Sequence, residues 1–97
     1  MKRVFLSADA EDDLMAIGDY LIQHSPAATV RTMKMLRQKI DLLPSFPNLG
    51  IARDDLLLGL RCLIVKPYLI FYQSSDDLLE IIHIRHSSQS QDNLFPF

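Results

Sequence analysis

The chain has 97 residues, 48% hydrophobic and 23% charged, with a formal net charge of -2 and a pI near 5.8. Such a chain builds one domain around a single modest core, and so apolar a composition argues against disorder. Slight acidity gives no general pull towards phosphate, so a nucleic-acid role would need a local basic patch. The apolar runs fall far short of the ~20 residues of a membrane span, and the opening Met1-Lys2-Arg3-Val4-Phe5-Leu6 meets acidic residues too soon for a signal peptide. A cytoplasmic protein is expected, and its lone Cys62, between Arg61 and Leu63, reads as a small buried hydrophobe.

Residues 2–6 form a short strand candidate with Val4 and Leu6 on one face. Ser7 or Asp9 caps a helix in which Ala10, Leu14, Ile17 and Leu21 recur as one apolar stripe, the pattern of a helix lying on a sheet. Gly18 weakens that helix slightly or admits a close neighbour. Ser25-Pro26 opens a second helix, with Pro26 at the first helical position where its missing N–H costs nothing. Met33, Leu36, Ile40 and Leu43 carry this helix to about Leu43, and so short a link predicts an antiparallel hairpin. The first helix carries Asp9, Glu11, Asp12, Asp13 and Asp19, the second Arg31, Lys34, Arg37 and Lys39 against Asp41. Met15, Ile22 and Met35 fall outside the main stripes, which suits either a second contact surface or helix-on-helix packing.

Pro44, Pro47 and Gly50 make the segment 43–50 a turn-rich connector. Residues 58–86 then hold three runs rich in β-branched and aromatic residues, broken at Lys66-Pro67 and at Ser74-Ser75-Asp76-Asp77, and read as an antiparallel meander. Strict alternation places Leu79, Ile81, His83 and Arg85 on one face of the last strand and Glu80, Ile82, Ile84 and His86 on the other. Arg61 shares a face with Leu63 and Val65. Beyond the sheet a polar run over 87–93 ends in Leu94, Phe95 and Phe97, apolar groups that must dock on the domain itself or on something else.

No phosphate loop, paired metal ligands or nucleophile elbow is present, so no cofactor and no metal are expected. His83 and His86, three apart on a strand, face opposite ways and cannot share one ion. A metal-free ribonuclease needs a base for the ribose 2′-OH, an acid for the leaving oxygen and a cation for the phosphorane. Arg61, His83, Arg85 and His86, with Arg53 and Lys66, are the concentrated supply of such groups. Equally, the arginines can pair at the sheet rim while the histidines pack singly.

The order of Ser7-x-x-Ala10-x-x-Asp13-Leu14-x-x-Ile17-x-x-Tyr20-Leu21, Pro47-x-x-Gly50, Gly59-Leu60-Arg61, Pro67-Tyr68-Leu69-Ile70-Phe71-Tyr72 and an Ile-rich last strand ending in His86 resembles the ParE/RelE superfamily of toxin–antitoxin toxins. The resemblance spans residues 4–86 and is closer to the ParE branch. It implies an α+β fold: an N-terminal strand, a helical hairpin and a three-stranded antiparallel meander, with the helices on one face. It also implies a plasmid-stabilising toxin that inhibits DNA gyrase by binding, needs no cofactor, is neutralised by a small DNA-binding antitoxin, and itself reads no DNA sequence. Arg61, Arg85 and His86 are then the expected target contacts, and Met15, Ile22 and Met35 the antitoxin contacts, together with an open sheet edge. RelE-like members instead cleave ribosome-bound mRNA, for which Arg61, Arg85, His83 and His86 would be the catalytic set. A non-toxic interaction module is the third reading. Many ParE-like chains follow the closing His with two small residues and an Arg; here the sequence is His86-Ser87-Ser88-Gln89.

Overall fold

A computed structural model describes residues 2–89 together with Leu94 and Phe95. Five strands and two helices follow the order β1 (Arg3–Leu6), α1 (Ala8–His24), α2 (Pro26–Leu42), β2 (Ile51–Ala52), β3 (Arg61–Val65), β4 (Tyr68–Ser74) and β5 (Leu78–His86). They make one mixed sheet in the order β1-β5-β4-β3-β2, the α+β arrangement that the sequence implies. The meander β3–β4–β5 is antiparallel, whereas β1 runs parallel to β5, with Arg3 opposite Leu78 and Leu6 opposite Ile81. The two-residue strand β2 was not anticipated; it pairs Ile51 with Cys62 and Ala52 with Arg61.

Local chemistry sets the helices. Ser7 caps α1, its Oγ accepting from the Ala10 N–H at 3.0 Å and donating to the Ile82 carbonyl at 2.7 Å, so one hydroxyl begins the helix and ties it to β5. Ser25 ends α1 through its N–H to the Leu21 carbonyl at 2.7 Å, and Pro26 begins α2. The stripes of both helices enter one core with Ile70, Tyr72, Leu79, Ile81 and Ile84. Met33 Sδ lies 4.0 Å from where a Cβ would stand on Gly18, an ordinary contact. Among the described residues no helix is long and apolar enough to cross a membrane.

The sheet is apolar on both faces. Leu60, Cys62, Leu69 and Phe71 form a second cluster away from the helices, covered by Leu56, Leu57, Leu94 and Phe95. Leu94 is 8% exposed, so this part of the C-terminal segment docks on its own domain; residues 90–93, Pro96 and Phe97 lie outside the described residues.

Strict alternation fails in β5. Tyr72 sits opposite Ile81 and Phe71 opposite His83, which leaves Ile82 as the extra residue of a bulge. Everything beyond it changes face. Ile84 and His86 therefore join Leu79 and Ile81 on the helix side, opposite Ile70 and Tyr68, while His83 and Arg85 stand opposite Phe71 and Leu69 on the far side.

Candidate functional site

Where β1 ends, β5 loses its neighbour, and α1 takes over. The Ser7 N–H donates to the Ile81 carbonyl at 2.9 Å, Ser7 Oγ reaches Ile82, and Asp13 Oδ2 accepts from the Ile84 N–H at 2.9 Å. A carboxylate thus answers a strand N–H that would otherwise lack a partner at a half-buried edge. The same Oδ2 lies 3.3 Å from His83 Nδ1, and Asp9 stands 3.9 Å from His83 Nε2. The His83 side chain is 12% exposed and meets the Phe95 ring edge-on at 5.6 Å. Two carboxylates and an aromatic ring therefore surround it.

His86 closes β5 on the other side of the sheet. Its ring meets Tyr68 edge-on at 5.6 Å, and its Nδ1 accepts from the Ser88 N–H at 3.1 Å, with Ser88 Oγ at 2.8 Å. The His86 N–H donates to Gln89 Oε1 at 2.9 Å, and the Gln89 N–H returns to the His86 carbonyl at 3.0 Å. Gln89 serves here as an acceptor, a role closed to the arginine of the ParE-like pattern because a guanidinium has only donors.

Between α1 and the ends of β4 and β5 lies a groove of about 650 Å³. Ile17, Leu21, Tyr68 and Ile84 supply its apolar lining, and Tyr20, Arg85, His86 and Gln89 its polar one. Burial, with Tyr20 adding to it, pushes the Tyr68 phenol above its ordinary pKa. Arg85 Nε is shut off from solvent without an acceptor among the described residues. Arg85 and His86 thus both border this groove, although Arg85 leaves the strand on the far face with His83 and only His86 leaves it on the helix side.

Arg61 belongs to a different neighbourhood. Its register partner is Tyr72, four residues along β4 from the Tyr68 that pairs with His86. The separation is about 13 Å along the strands and two strand spacings, roughly 10 Å, across. There Arg61 Nη1 donates to the Gly50 carbonyl at 2.7 Å. The Gly50 N–H donates to the Tyr72 hydroxyl at 2.8 Å, and that hydroxyl donates to the Pro47 carbonyl at 2.8 Å. A Cβ on Gly50 would meet the Tyr72 ring at 2.8 Å and the Cys62 backbone at 2.9 Å, so only glycine fits. Pro47-x-x-Gly50, Arg61 and Tyr72 are thereby one network holding the connector to the sheet.

The remaining candidates are scattered. Arg53 forms a two-pronged pair with Asp55, both bonds at 3.0 Å, which raises the guanidinium pKa and lowers that of Asp55. Lys66 is exposed in the β3–β4 turn. Met15 and Ile22 are 66% and 59% exposed on α1. Met35, by contrast, is half-buried against the main core, so of the two expectations for it packing within the domain is the one seen here. Asp13, Gly50 and Tyr72 carry more of the geometry than residue types suggested; the available signal was a carboxylate flanking the apolar stripe of α1.

The family of ParE toxins of type II toxin–antitoxin systems, parDE, matches residues 4–91. Toxin RelE2 of Caulobacter vibrioides is 36% identical over 89 residues, covering 92% of this chain and 99% of that protein. A solved structure described as the chromosomal ParDE TA system from P. aeruginosa superposes with a TM-score of 0.77 at 20% identity, over 89% of this chain and 96% of that one, a likeness of fold.

Proposed function

The chain belongs to the ParE toxin family of type II toxin–antitoxin systems, and on that premise we propose that it acts in the cytoplasm by binding DNA gyrase and is neutralised by a cognate antitoxin. The observation that carries this reading is the dispersal of the ribonuclease set. Arg61 is engaged with the Gly50 carbonyl at one end of the sheet, His86 with Ser88 at the other, and His83 lies on the opposite face between Asp9 and Asp13. General acid–base cleavage needs its base, acid and cation within hydrogen-bond reach of one phosphate, whereas recognition of a protein surface does not. Arg85 and His86, at the groove beside Tyr20, are the contacts offered to the target, and Arg61 contributes by holding the connector.

Ribosome-dependent cleavage of mRNA is the second reading, because the relative of 36% identity is named a RelE toxin. Purified protein added to gyrase and relaxed plasmid separates the two. Under the first reading supercoiling stops or cleaved DNA accumulates with gyrase, and mRNA in a translation reaction stays intact. Codon-positioned mRNA cleavage that vanishes with Arg61→Ala or His86→Ala establishes the second.

The exposure of Met15 and Ile22 supports the outer surface of α1 as the antitoxin contact in this reading. Changing both to Asp should abolish the complex while the domain still folds. Unchanged affinity would move that contact elsewhere.

A further inference from the structure

The slight acidity of the chain conceals an uneven distribution of charge. Helix α2 carries Arg31, Lys34, Arg37 and Lys39 against Asp41 alone, in a chain of net charge -2. Leu36 and Ile40 turn one side of α2 into the core, while Arg31, Lys34, Arg37 and Gln38 are all exposed. Steps of three residues set Arg31, Lys34 and Arg37 one above the next along about 9 Å of helix. Like charges at such spacing weaken a helix, and no carboxylate relieves them, because ion pairs among the described residues are made by Arg53 and His83 alone. The row therefore weakens the fold it belongs to.

Its surroundings specify a polyanion rather than a folded protein. Protein interfaces are built on buried aromatic and apolar anchors and are depleted of lysine; α2 exposes only Val30 and, at its last residue, Leu42 as large apolar side chains. Single-stranded nucleic acid is held by rings on which bases stack, and α2 has no aromatic residue. A duplex needs neither. Its phosphates recur every ~3.4 Å along each strand, so the row spans two or three of them, and Gln38 adds a neutral donor at the end of the row. We infer that the exposed face of α2 docks on the phosphate backbone of duplex DNA through Arg31, Lys34 and Arg37, without reading its sequence. Among the described residues none of α2 borders the groove at Arg85 and His86, so a target bound there leaves this face open to the DNA on which that target works. The choice of DNA among polyanions rests on the reading of gyrase as the target.

The test uses the full chain and short labelled DNA duplexes of two unrelated sequences, with fluorescence anisotropy read between about 50 and 200 mM salt. Both duplexes should bind alike, and log affinity should fall against log salt with a slope of about -2 to -3, the release expected from three phosphate contacts. Lys34→Glu should weaken binding by about ten-fold and lower the slope by about one. Lys66→Glu, an equal change of net charge placed in the β3–β4 turn, should leave the slope unchanged. Amide shifts followed by NMR should move over residues 31–38 and stay still at His86. Circular dichroism checks the fold of each variant; if Lys34→Glu unfolds, Lys34→Gln, which only removes the charge, decides. No binding at the lower salt, equal losses from Lys34→Glu and Lys66→Glu, or tighter binding of the single strand, of duplex RNA or of a poly-glutamate peptide overturns the surface. Duplex binding through α2 by a protein that leaves gyrase untouched sinks the proposed target and leaves the surface standing; gyrase inhibition by a protein that binds no duplex does the reverse.

Discussion

Replacing Tyr72 with phenylalanine removes one oxygen from the interior and keeps the ring. That oxygen accepts from the Gly50 N–H and donates to the Pro47 carbonyl, each at 2.8 Å, and both Tyr72 and Gly50 are buried. No sizeable cavity forms, so the cost is polar. A buried N–H left without an acceptor costs about 1–3 kcal/mol, and the lost bond to Pro47 about 0.5–1.5 kcal/mol. Together these give roughly 2–4 kcal/mol, equivalent to a fall in Tm of about 10–25 °C in a domain of this size. Urea unfolding followed by circular dichroism measures it, and the midpoint should move at constant slope. Gly50→Ala is the companion, since its Cβ would press on the Cys62 backbone as well as on the Tyr72 ring. A loss below about 0.5 kcal/mol for Tyr72→Phe would refute the role given to this hydroxyl in holding the connector.

Asp13→Ala should cost about 1–2 kcal/mol by leaving the Ile84 N–H unanswered, while Asp13→Asn, which retains an acceptor oxygen, should recover most of it; equal losses would place the effect in the His83 pairing instead. Burial raises the Tyr72 pKa above its ordinary value, so on alkaline titration the unfolded tyrosine ionises first, near about pH 10. Stability is then full below that pH and declines as pH rises through the folded value; a Tyr72→Phe protein should show a flatter alkaline limb, and identical limbs would contradict this. Leu94→Ala should lower stability by up to about 1.5–3 kcal/mol and speed modification of the buried Cys62 thiol by a colourless-to-yellow disulfide reagent, because both residues belong to the second apolar cluster. Unchanged stability and labelling would show that the segment covers nothing.

The helices were legible because their signals are local. A cap at Ser7, a proline after Ser25 and stripes at helical spacing each need only a few neighbouring residues. The three-stranded meander was equally visible, with its breaks at Lys66-Pro67 and at residues 74–77. What escaped depends on distant partners. Strand β1 pairs with β5 across some seventy residues of chain, and no periodicity within Arg3–Leu6 announces a parallel neighbour. The bulge at Ile82 leaves no mark in the row Ile81-Ile82-His83-Ile84, where every nonpolar residue suits either face; yet it exchanges the faces of His83 and His86 relative to Leu79. The candidate site suffered most, since a list of basic residues cannot reveal that Arg61 is already bonded to Gly50. Met35 was open between an outer contact and packing within the domain, and the fold buries it partly against the core although it lies off the regular stripe.

The adjacency of β1 and β5 also governs when this protein can become itself during synthesis. The first strand leaves the ribosome long before the last, and until Leu78–His86 exists it has no neighbour in the sheet. Asp13 waits as well, for the Ile84 N–H it anchors. A message cut or a ribosome stalled anywhere ahead of codon 78 thus yields a helical hairpin with an unpaired apolar strand, a ready substrate for proteases. Partial translation therefore yields no complete sheet: the fold, and with it the groove between α1 and the ends of β4 and β5, arrives only when the final strand does.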